Sequence, residues 1–260
     1  MDLGIAGKRA IVCASSKGLG RGVAEKLAEA GAIVTINGRN RETLKVTAHD
    51  IQKQTKSEVQ IVVADVTTVE GREALLEAEP NPDILVTNAG GPPPGLWSDW
   101  AEDDWLNALN ASMLTPILLM KGVLPGMITR KWGRVINITS ASVKSPIPEL
   151  GLSNASRSGL TGFVAGTARQ VAKHGVIINN LLPGSHETDR TTSFLKRTAA
   201  ERNISIDEAR LEAHARNPTG RFGTSEEFGA AAAFLCSQYA GFIVGQNLML
   251  DGGAFTSTLG

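Results

Sequence analysis

The stretch Cys13-Ala14-Ser15-Ser16-Lys17-Gly18-Leu19-Gly20 begins with the last two residues of an apolar run of strand length, Arg9–Ala14, and precedes a segment with the apolar period of a helix. A turn between a strand and the start of a helix presents free backbone N–H groups and the positive end of the helix dipole. Gly18 and Gly20 allow the backbone to approach a pyrophosphate closely. The stretch therefore predicts a phosphate-binding turn; the alternative is that the glycines serve the turn alone.

Short apolar runs and amphipathic segments alternate along the rest of the chain. Continuous apolar strands separated by helices are typical of a parallel sheet covered on both faces. The order predicts an α/β fold: one Rossmann-type doubly wound domain over residues 1–260, with a seven-stranded, mainly parallel sheet and helices on both faces. The predicted strands are Arg9–Ala14, Ala32–Ile36, Val59–Ala64, Asp83–Thr87, Gly133–Ile138, Val176–Leu181 and Asn247–Leu250. The predicted helices are Val23–Ala30, Arg41–Gln54, Val69–Ala78, Asp99–Ala111, Leu114–Ile128, Ser153–Lys173 and Glu226–Cys236.

One long polar stretch interrupts this alternation at 184–220. It follows the predicted sixth strand, at the sheet edge where ligand-facing loops occur in such folds. We expect it to be a partly helical insertion on the substrate side.

Composition excludes several classes of protein. The chain has 260 residues with 26 Lys+Arg and 26 Asp+Glu, so it lacks the positive balance of a nucleic-acid-binding protein. It has no run of about 18 apolar residues and no signal-peptide pattern, which predicts a cytoplasmic protein without a membrane span. Cys13 and Cys236 lie far apart in apolar segments and read as buried thiols. The four histidines lack ligand spacing and no CxxC occurs, so no metal site is expected.

The end of the predicted second strand bears on the choice of dinucleotide. An NAD site is expected to carry an acidic residue there, which holds the ribose hydroxyls. This chain has Arg39 instead, and Lys17 in the first turn offers a second cation. Both suit a 2′-phosphate, which favours NADP(H) over NAD(H); the alternative is that both are solvated surface cations.

With these residues in place, the chain from Ile5 to Gly253 resembles the classical short-chain dehydrogenases/reductases, as a divergent member similar to 3-oxoacyl-[acyl-carrier-protein] reductases. The family's TGxxxGxG motif falls on residues 13–20, with Cys13 and Ala14 at its first two positions. The resemblance implies a small-molecule substrate and a catalytic Ser140 and Asn110. It implies that the cofactor is bound by Ala14, Ser16, Lys17, Gly18, Leu19, Gly20, Arg39, Asp65, Val66, Asn88, Ala89, Gly90, Arg157, Pro183, Gly184 and Thr188.

The chain departs from this family at its central signature, a tyrosine followed four residues later by a lysine. Ser153 stands in the place of the tyrosine and Arg157 in that of the lysine. Serine is far less acidic than tyrosine, whose pKa is about 10 when free, and arginine stays protonated and cannot relay a proton. Ser153 and Ser140 can still hold a carbonyl oxygen, and Arg157 can still hold the nicotinamide ribose that the family's lysine binds.

Other residues are candidates for the substrate cleft. Tyr239 is the only tyrosine and is read as a packing or interface residue, away from the cofactor. His186 follows Pro183-Gly184-Ser185 in a loop that borders the nicotinamide in the family, so it is a candidate acid; an ordinary loop histidine is the alternative. In the glycine- and proline-rich loop at 90–97, Pro94 and Trp97 are candidate substrate contacts, with rigid packing as the alternative. Leu150, just before the Ser153 window, is a further candidate contact.

Three functions remain open from the sequence. The first is an NADP(H)-dependent oxidoreductase that interconverts a carbonyl and an alcohol through a non-standard proton path. The second is a catalytically silent NAD(P)-binding pseudoenzyme, and the third is a non-redox reaction on the same scaffold. The family's usual assembly through the helices at 99–128 and 153–173 and the last strand also implies a homo-oligomer, a tetramer or dimer.

Overall fold

Residues 1–258 are described by a computed structural model. Within this range, seven strands form one sheet in the order β3-β2-β1-β4-β5-β6-β7, and each neighbouring pair is parallel. The strands are β1 Arg9–Val12, β2 Ile33–Gly38, β3 Val59–Val63, β4 Ile84–Thr87, β5 Gly133–Ile138, β6 Val176–Pro183 and β7 Asn247–Leu250. The predicted doubly wound α/β fold is confirmed, and its sheet is parallel throughout.

The helices of the described chain lie on both faces of the sheet. They are α1 Gly18–Glu29, α2 Arg41–Thr55, α3 Val69–Ala78, α4 Glu102–Leu109, α5 Thr115–Thr129, α6 Gly151–Val171, α7 Asp189–Arg202, α8 Ile206–Ala215 and α9 Ser225–Cys236. One core packs the apolar side chains of α1, α2 and α9 on one face, and a second core packs those of α3, α5 and α6 on the other. Two cores of this kind explain why the central strands are apolar on both sides.

The order of strands reverses between β1 and β4, the neighbours at the centre of the sheet. In doubly wound sheets, ligands bind outside the carboxyl ends of the strands at such a switch point. The turns after β1, β4, β5 and β6 therefore meet at one edge of the sheet, and these turns carry the residues predicted to bind the cofactor and substrate.

Helices α4 and α5 join into one rod through a π-helical turn, Asn110–Leu114. Pro116 lies directly after this π-helical turn, and the rod continues through it. By length and mean hydropathy alone, this helix at 102–129 would suffice to cross a membrane. Leu119, Met120 and Met127 are nevertheless buried against the sheet, as in a core helix of an α/β domain.

The insertion at 184–220, expected to be partly helical, contains two helices, α7 and α8. Leu195 and Ala199 of α7 pack with Ala209 of α8 and with Phe222. These four side chains form a small core, separate from the two cores on the sheet. The period of the apolar residues is weak here because the two helices bury few side chains.

Strand β1 is shorter than predicted because Ala14 has left the extended conformation. Its φ is +46°, in the left-handed region that favours glycine. Glycine is the family residue at this position, so the alanine carries a backbone strain that the sequence alone does not reveal.

The Ala14→Gly variant should therefore be more stable than the wild-type chain. Relief of about 1–2 kcal/mol of left-handed strain exceeds the roughly 0.5–1 kcal/mol of extra chain entropy that glycine loses on folding. We expect the free energy of unfolding to rise by up to about 1 kcal/mol in urea titrations. Ala254→Gly, in an exposed loop without positive φ, is the control and should show no gain; a loss of stability in Ala14→Gly would contradict the strain.

Candidate active site

The turn after β1 meets the start of α1 in the arrangement that the glycine motif predicts. Helix α1 begins at Gly18, and its N-cap residue, Lys17, makes no side-chain capping bond. The N-cap side chains of α2, α3, α7, α8 and α9 each accept a backbone N–H, whereas those of α4, α5 and α6, like Lys17, do not. The first turn of α1 also lacks acidic residues. Its free N–H groups and dipole therefore fit a bound phosphate.

Gly20 is required by packing against the two neighbouring turns. A Cβ there would lie 2.5 Å from the Ala14 carbonyl oxygen and 2.9 Å from Asn88 Nδ2. Asn88, directly after β4, donates this same Nδ2–H to the Ala14 carbonyl at 3.2 Å. The residues at the ends of β1 and β4 thus hold one another, which fixes the phosphate turn against the sheet.

Two buried polar residues support this turn through hydrogen bonds, a role that was not predicted from the sequence. Ser15 Oγ donates to the Val12 carbonyl at 2.7 Å and accepts the Asn37 N–H at 3.0 Å. Asn37 Nδ2 donates to the carbonyls of Val62 and Ala64, both at 3.1 Å. Asn37 directly follows a predicted strand, and a polar residue that is buried there needs hydrogen-bond partners. Its position in the sequence could therefore have indicated this supporting role.

Arg39 follows β2 and is open to solvent. Its side chain is 81% exposed, and its Nη1 lies 3.8 Å from Asp65 Oδ2. Two hydrogen bonds from Thr67, through its backbone N–H and its hydroxyl, lower the pKa of Asp65, to which the charge of Arg39 adds. Val66 is buried beside it. An exposed guanidinium at this position fits a 2′-phosphate on the adenine-side ribose.

Lys17, the second predicted cation, forms an ion pair with Asp189, which was not predicted from the sequence to lie near the cofactor site. Its Nζ lies 2.7 Å from Asp189 Oδ2, at the start of α7, and both side chains are exposed. The pair joins the phosphate turn to α7. A Cβ on Gly18 would lie 3.6 Å from the Thr188 methyl group, so Thr188 also faces this turn.

The other predicted cofactor residues lie along the same edge. Ser16 accepts the Thr47 hydroxyl through its carbonyl at 2.8 Å. A Cβ on Gly90 would have open space around it. Gly184, which follows Pro183 at the end of β6, packs so closely on Asp251 that a Cβ would lie 2.6 Å from that side chain. Leu19 and Ala89 adjoin these glycines in the chain.

Ser140 and Asn110, the predicted catalytic residues, lie after β5 and at the junction of α4 and α5. Ser140 follows β5 and accepts the Ser142 N–H at 3.1 Å, so its hydroxyl hydrogen remains available. Asn110 begins the π-helical turn and donates its Nδ2–H to the Thr67 carbonyl at 3.0 Å. Isolated π turns are frequent at functional sites because they re-aim a side chain within a helix.

Ser153 and Arg157 contact each other one turn apart on α6. Arg157 Nε donates to Ser153 Oγ at 3.2 Å, and Arg157 Nη1 donates to the Ile138 carbonyl at the end of β5, at 2.8 Å. Both side chains are buried, with 4% and 7% of their surface exposed. Burial lowers the pKa of Arg157 to about 10, with a smaller contribution from the charge of Arg190, so the guanidinium stays protonated near neutrality.

His186 is directed into the fold, which argues against the acid and substrate roles considered for it. It is 5% exposed, its Nδ1 lies 3.2 Å from the Gly184 carbonyl oxygen, and its ring packs edge-on against Phe228. Burial lowers its pKa, so the imidazole is neutral at pH 7. Tyr239 lies in a short helical turn at 238–240, after α9, and is 53% exposed. In residues 1–258, no group of three or more His, Cys, Asp or Glu side chains is arranged to hold a metal ion.

The proline-rich loop is fixed to the chain just before α6. The Gly95 N–H donates to the Glu149 carbonyl at 2.9 Å, and Gly95 pairs with Leu150 in a parallel bridge. Pro94 is exposed and Trp97 is 86% exposed, so Trp97 points away from the protein rather than forming a wall. Trp100 is the aromatic residue that packs here, since a Cβ on Gly151 would lie 2.6 Å from its ring.

Known proteins resemble this chain along nearly its whole length. The family model described as enoyl-(acyl carrier protein) reductase matches residues 13–255. The chain is 32% identical to the 3-oxoacyl-[acyl-carrier-protein] reductase of Aquifex aeolicus, over 98% of this chain and all of that protein. It belongs to the short-chain dehydrogenase/reductase family. The family assignment made from the sequence is therefore confirmed, and with it the class of NAD(P)-dependent oxidoreductase.

Solved structures of short-chain reductases resemble the fold along its whole length. L-Sorbose reductase from Gluconobacter frateurii, solved with NADPH and L-sorbose, has a TM-score of 0.94 and 28% identity, covering 99% of this chain and all of that one. An NADPH-dependent reductase involved in bacilysin biosynthesis has a TM-score of 0.90 and 26% identity, covering 97% of this chain and all of that one. Both structural neighbours are thus named with the phosphorylated dinucleotide.

Proposed function

We propose that this short-chain reductase uses NADP(H) to interconvert a carbonyl and an alcohol on a small molecule. The observation that carries the proposal is the pairing of an uncapped α1 N-terminus with an exposed Arg39 at the end of β2. The first fits a pyrophosphate and the second a 2′-phosphate. The NADPH named with both structural neighbours supports the same cofactor.

The bound nicotinamide would supply or accept the hydride. Ser153 Oγ accepts a hydrogen bond from the Arg157 Nε–H. The hydroxyl hydrogen of Ser153 is therefore free to donate to a substrate. The adjacent positive charge strengthens that donation. Ser140 and Ser153 then hold the developing oxyanion by hydrogen bonds, while Asn110 fixes the π turn beside α6.

The proton must come by a path other than that of the usual tyrosine and lysine. Arg157 stays protonated, and His186 is buried against Phe228. A water molecule polarised by the serine hydroxyls is the donor that we propose. Water is a poor acid, so turnover should be slow at neutral pH.

The competing function is a catalytically silent NAD(P)-binding protein, which Ser153 and Arg157 favour because neither is a good acid. A non-redox reaction on the same scaffold is a further alternative. Titration of the chain with NADPH, followed by fluorescence, should show tight binding. A screen of ketones and alcohols should then show slow cofactor-dependent turnover. Tight binding without turnover across a broad panel would instead support the silent protein.

We also propose a homo-oligomer, a dimer or tetramer, in the cytoplasm. The rod of α4 and α5 exposes Leu106, Leu114 and Leu118, and α6 exposes Phe163. These apolar side chains lie on the helices through which the family assembles. Exposed apolar side chains on these helices are the surface that we propose a second copy of the chain covers.

A further inference from the structure

The chain after β7 folds back at the carboxyl edge of the sheet. Asp251 directly follows β7, and its carboxylate accepts the Gly253 N–H at 3.0 Å and the Phe255 N–H at 2.8 Å. Gly252 and Gly253 have positive φ, of +67° and +84°, which lets the chain reverse within these few residues. The segment 251–255, called the β7 turn below, is therefore a hydrogen-bonded turn rather than a continuation of the strand.

Two neighbouring elements hold the β7 turn in place. Gly184, after the end of β6, donates its N–H to the Leu250 carbonyl at 2.9 Å and packs closely on Asp251. Asn217, which follows α8 and is buried, donates its Nδ2–H to the Asp251 carbonyl at 2.8 Å. The β7 turn is thus anchored both to the end of β6 and to the insertion at 184–220.

The β7 turn ends beside the segment that carries Ser140. The centroid of the Phe255 ring lies 5.9 Å from Lys144 Nζ, within the range of a cation–π contact. Lys144 follows Ser140 by four residues, and its N–H donates to the Ala141 carbonyl at 3.0 Å. The neighbouring strands on this side of the sheet are β5, β6 and β7. The β7 turn therefore passes from the end of β7, past the end of β6, to the loop after β5.

Ser140 consequently lies between two fixed segments. Strand β4 is on the other side of β5, and the proline-rich loop that follows β4 is held to Leu150 by Gly95. Lys144 and Phe255 are not among the residues expected to bind the dinucleotide, an argument that rests on the proposed function. Phe255 is half-buried, so part of its side chain remains accessible to a ligand of Ser140.

We propose that Phe255 forms the wall of the substrate cleft opposite the proline-rich loop, and that it limits the size of the substituent on the substrate carbonyl. A phenyl ring offers an apolar surface, so the class of substrate that fits is a ketone with a compact apolar substituent. A bulky substituent would have to displace a turn that Asp251 and Asn217 hold. Phe255 is thus a specificity-determining residue, which does not take part in the transfer of the hydride or the proton.

Symmetric ketones of graded size test this wall, because either orientation of the ligand places the same substituent against Phe255. The probes are 3-pentanone and 5-nonanone. Calorimetric titration of the NADP⁺-saturated protein gives their dissociation constants, and the absorbance of NADPH gives kcat/KM. Phe255→Ala should bind 5-nonanone about 10-fold more tightly than the wild-type chain does, with unchanged affinity for 3-pentanone, since apolar pockets discriminate by roughly 10-fold or more for each group that does not fit.

Two further variants accompany Phe255→Ala. Phe255→Leu keeps an apolar side chain against Lys144 and should give a smaller gain for 5-nonanone in the same direction. Phe242→Ala removes the same ring from a fully exposed position, so it is the matched control and should bind both ketones as the wild-type chain does.

The wall is overturned if Phe255→Ala binds 5-nonanone no better than the wild-type chain does, whether or not the wild-type chain binds it. A change of oligomeric state in Phe255→Ala, measured by light scattering, without a change in ketone binding would assign the ring to an interface and also overturn the wall. A gain in 5-nonanone binding without turnover in any variant would support the wall and overturn the proposed function. Turnover with the same size preference in all variants would do the reverse.

Discussion

The Arg39→Asp variant is expected to bind NADPH about 100-fold more weakly than the wild-type chain, with little loss of NADH binding. The variant removes a charge-assisted hydrogen bond to the 2′-phosphate and places a carboxylate where the phosphate must lie. Asp65, 3.8 Å from the Arg39 guanidinium in the wild-type chain, would then add a second negative charge without a partner. Fluorescence titration with NADPH and NADH in parallel measures both dissociation constants.

Arg41→Asp provides the matched control for this experiment. Arg41 is exposed, lies two residues farther along at the start of α2, and undergoes the same change of charge. It should weaken NADPH binding only slightly, through the general field at the surface. Equal losses for the two variants, or unchanged NADPH binding in Arg39→Asp, would remove the basis for choosing NADP(H).

The double variant Ser153→Tyr with Arg157→Lys should raise kcat for a neutral ketone by about 100-fold or more at pH 7. Positioned general acids contribute roughly 10²–10⁴-fold, and the introduced phenol, with its pKa lowered by the lysine, supplies an acid that the present serine cannot. Ethyl 3-oxobutanoate is a suitable substrate because it carries no charge. The rate of NADPH oxidation, followed by absorbance, gives kcat and KM separately.

The double variant Ser153→Phe with Arg157→Lys distinguishes the effect of the introduced hydroxyl group from the effect of the bulky ring. It fills the same space without a hydroxyl, so it should give no gain over the wild-type chain. An increase in both double variants would point to packing rather than to proton transfer. If the tyrosine variant instead destroys an activity that the wild-type chain has, Ser153 and Arg157 belong to a different mechanism.

The sequence predicted the fold because its strands are apolar on both faces and alternate with helices of clear period. It located the phosphate turn because Gly18 and Gly20 stand between a strand and a helix. It could not show that Arg190 binds the Pro92 carbonyl of the proline-rich loop, because Arg190 lies in an insertion whose helices bury few side chains. It also left His186 open, because loop position does not reveal that a ring turns inward against Phe228.

Two further features depended on contacts that residue types alone do not specify. The strain at Ala14 follows from its φ of +46°, and an alanine in sequence carries no sign of it. Trp97 is a candidate from the sequence because it ends the glycine- and proline-rich loop at 90–97. The chain reverses after Gly95, so that Trp100 packs on Gly151 and Trp97 is left exposed.

The small core formed by Leu195, Ala199, Ala209 and Phe222 has an evolutionary consequence. Because these side chains pack with one another and not with the two sheet cores, α7 and α8 form a unit whose stability is partly its own. Substitutions there can accumulate without weakening the sheet that binds the dinucleotide. Descendants of this chain could thus acquire new substrates by divergence at the packed faces of α7 and α8, while the turns at the strand ends that hold the cofactor are inherited unchanged.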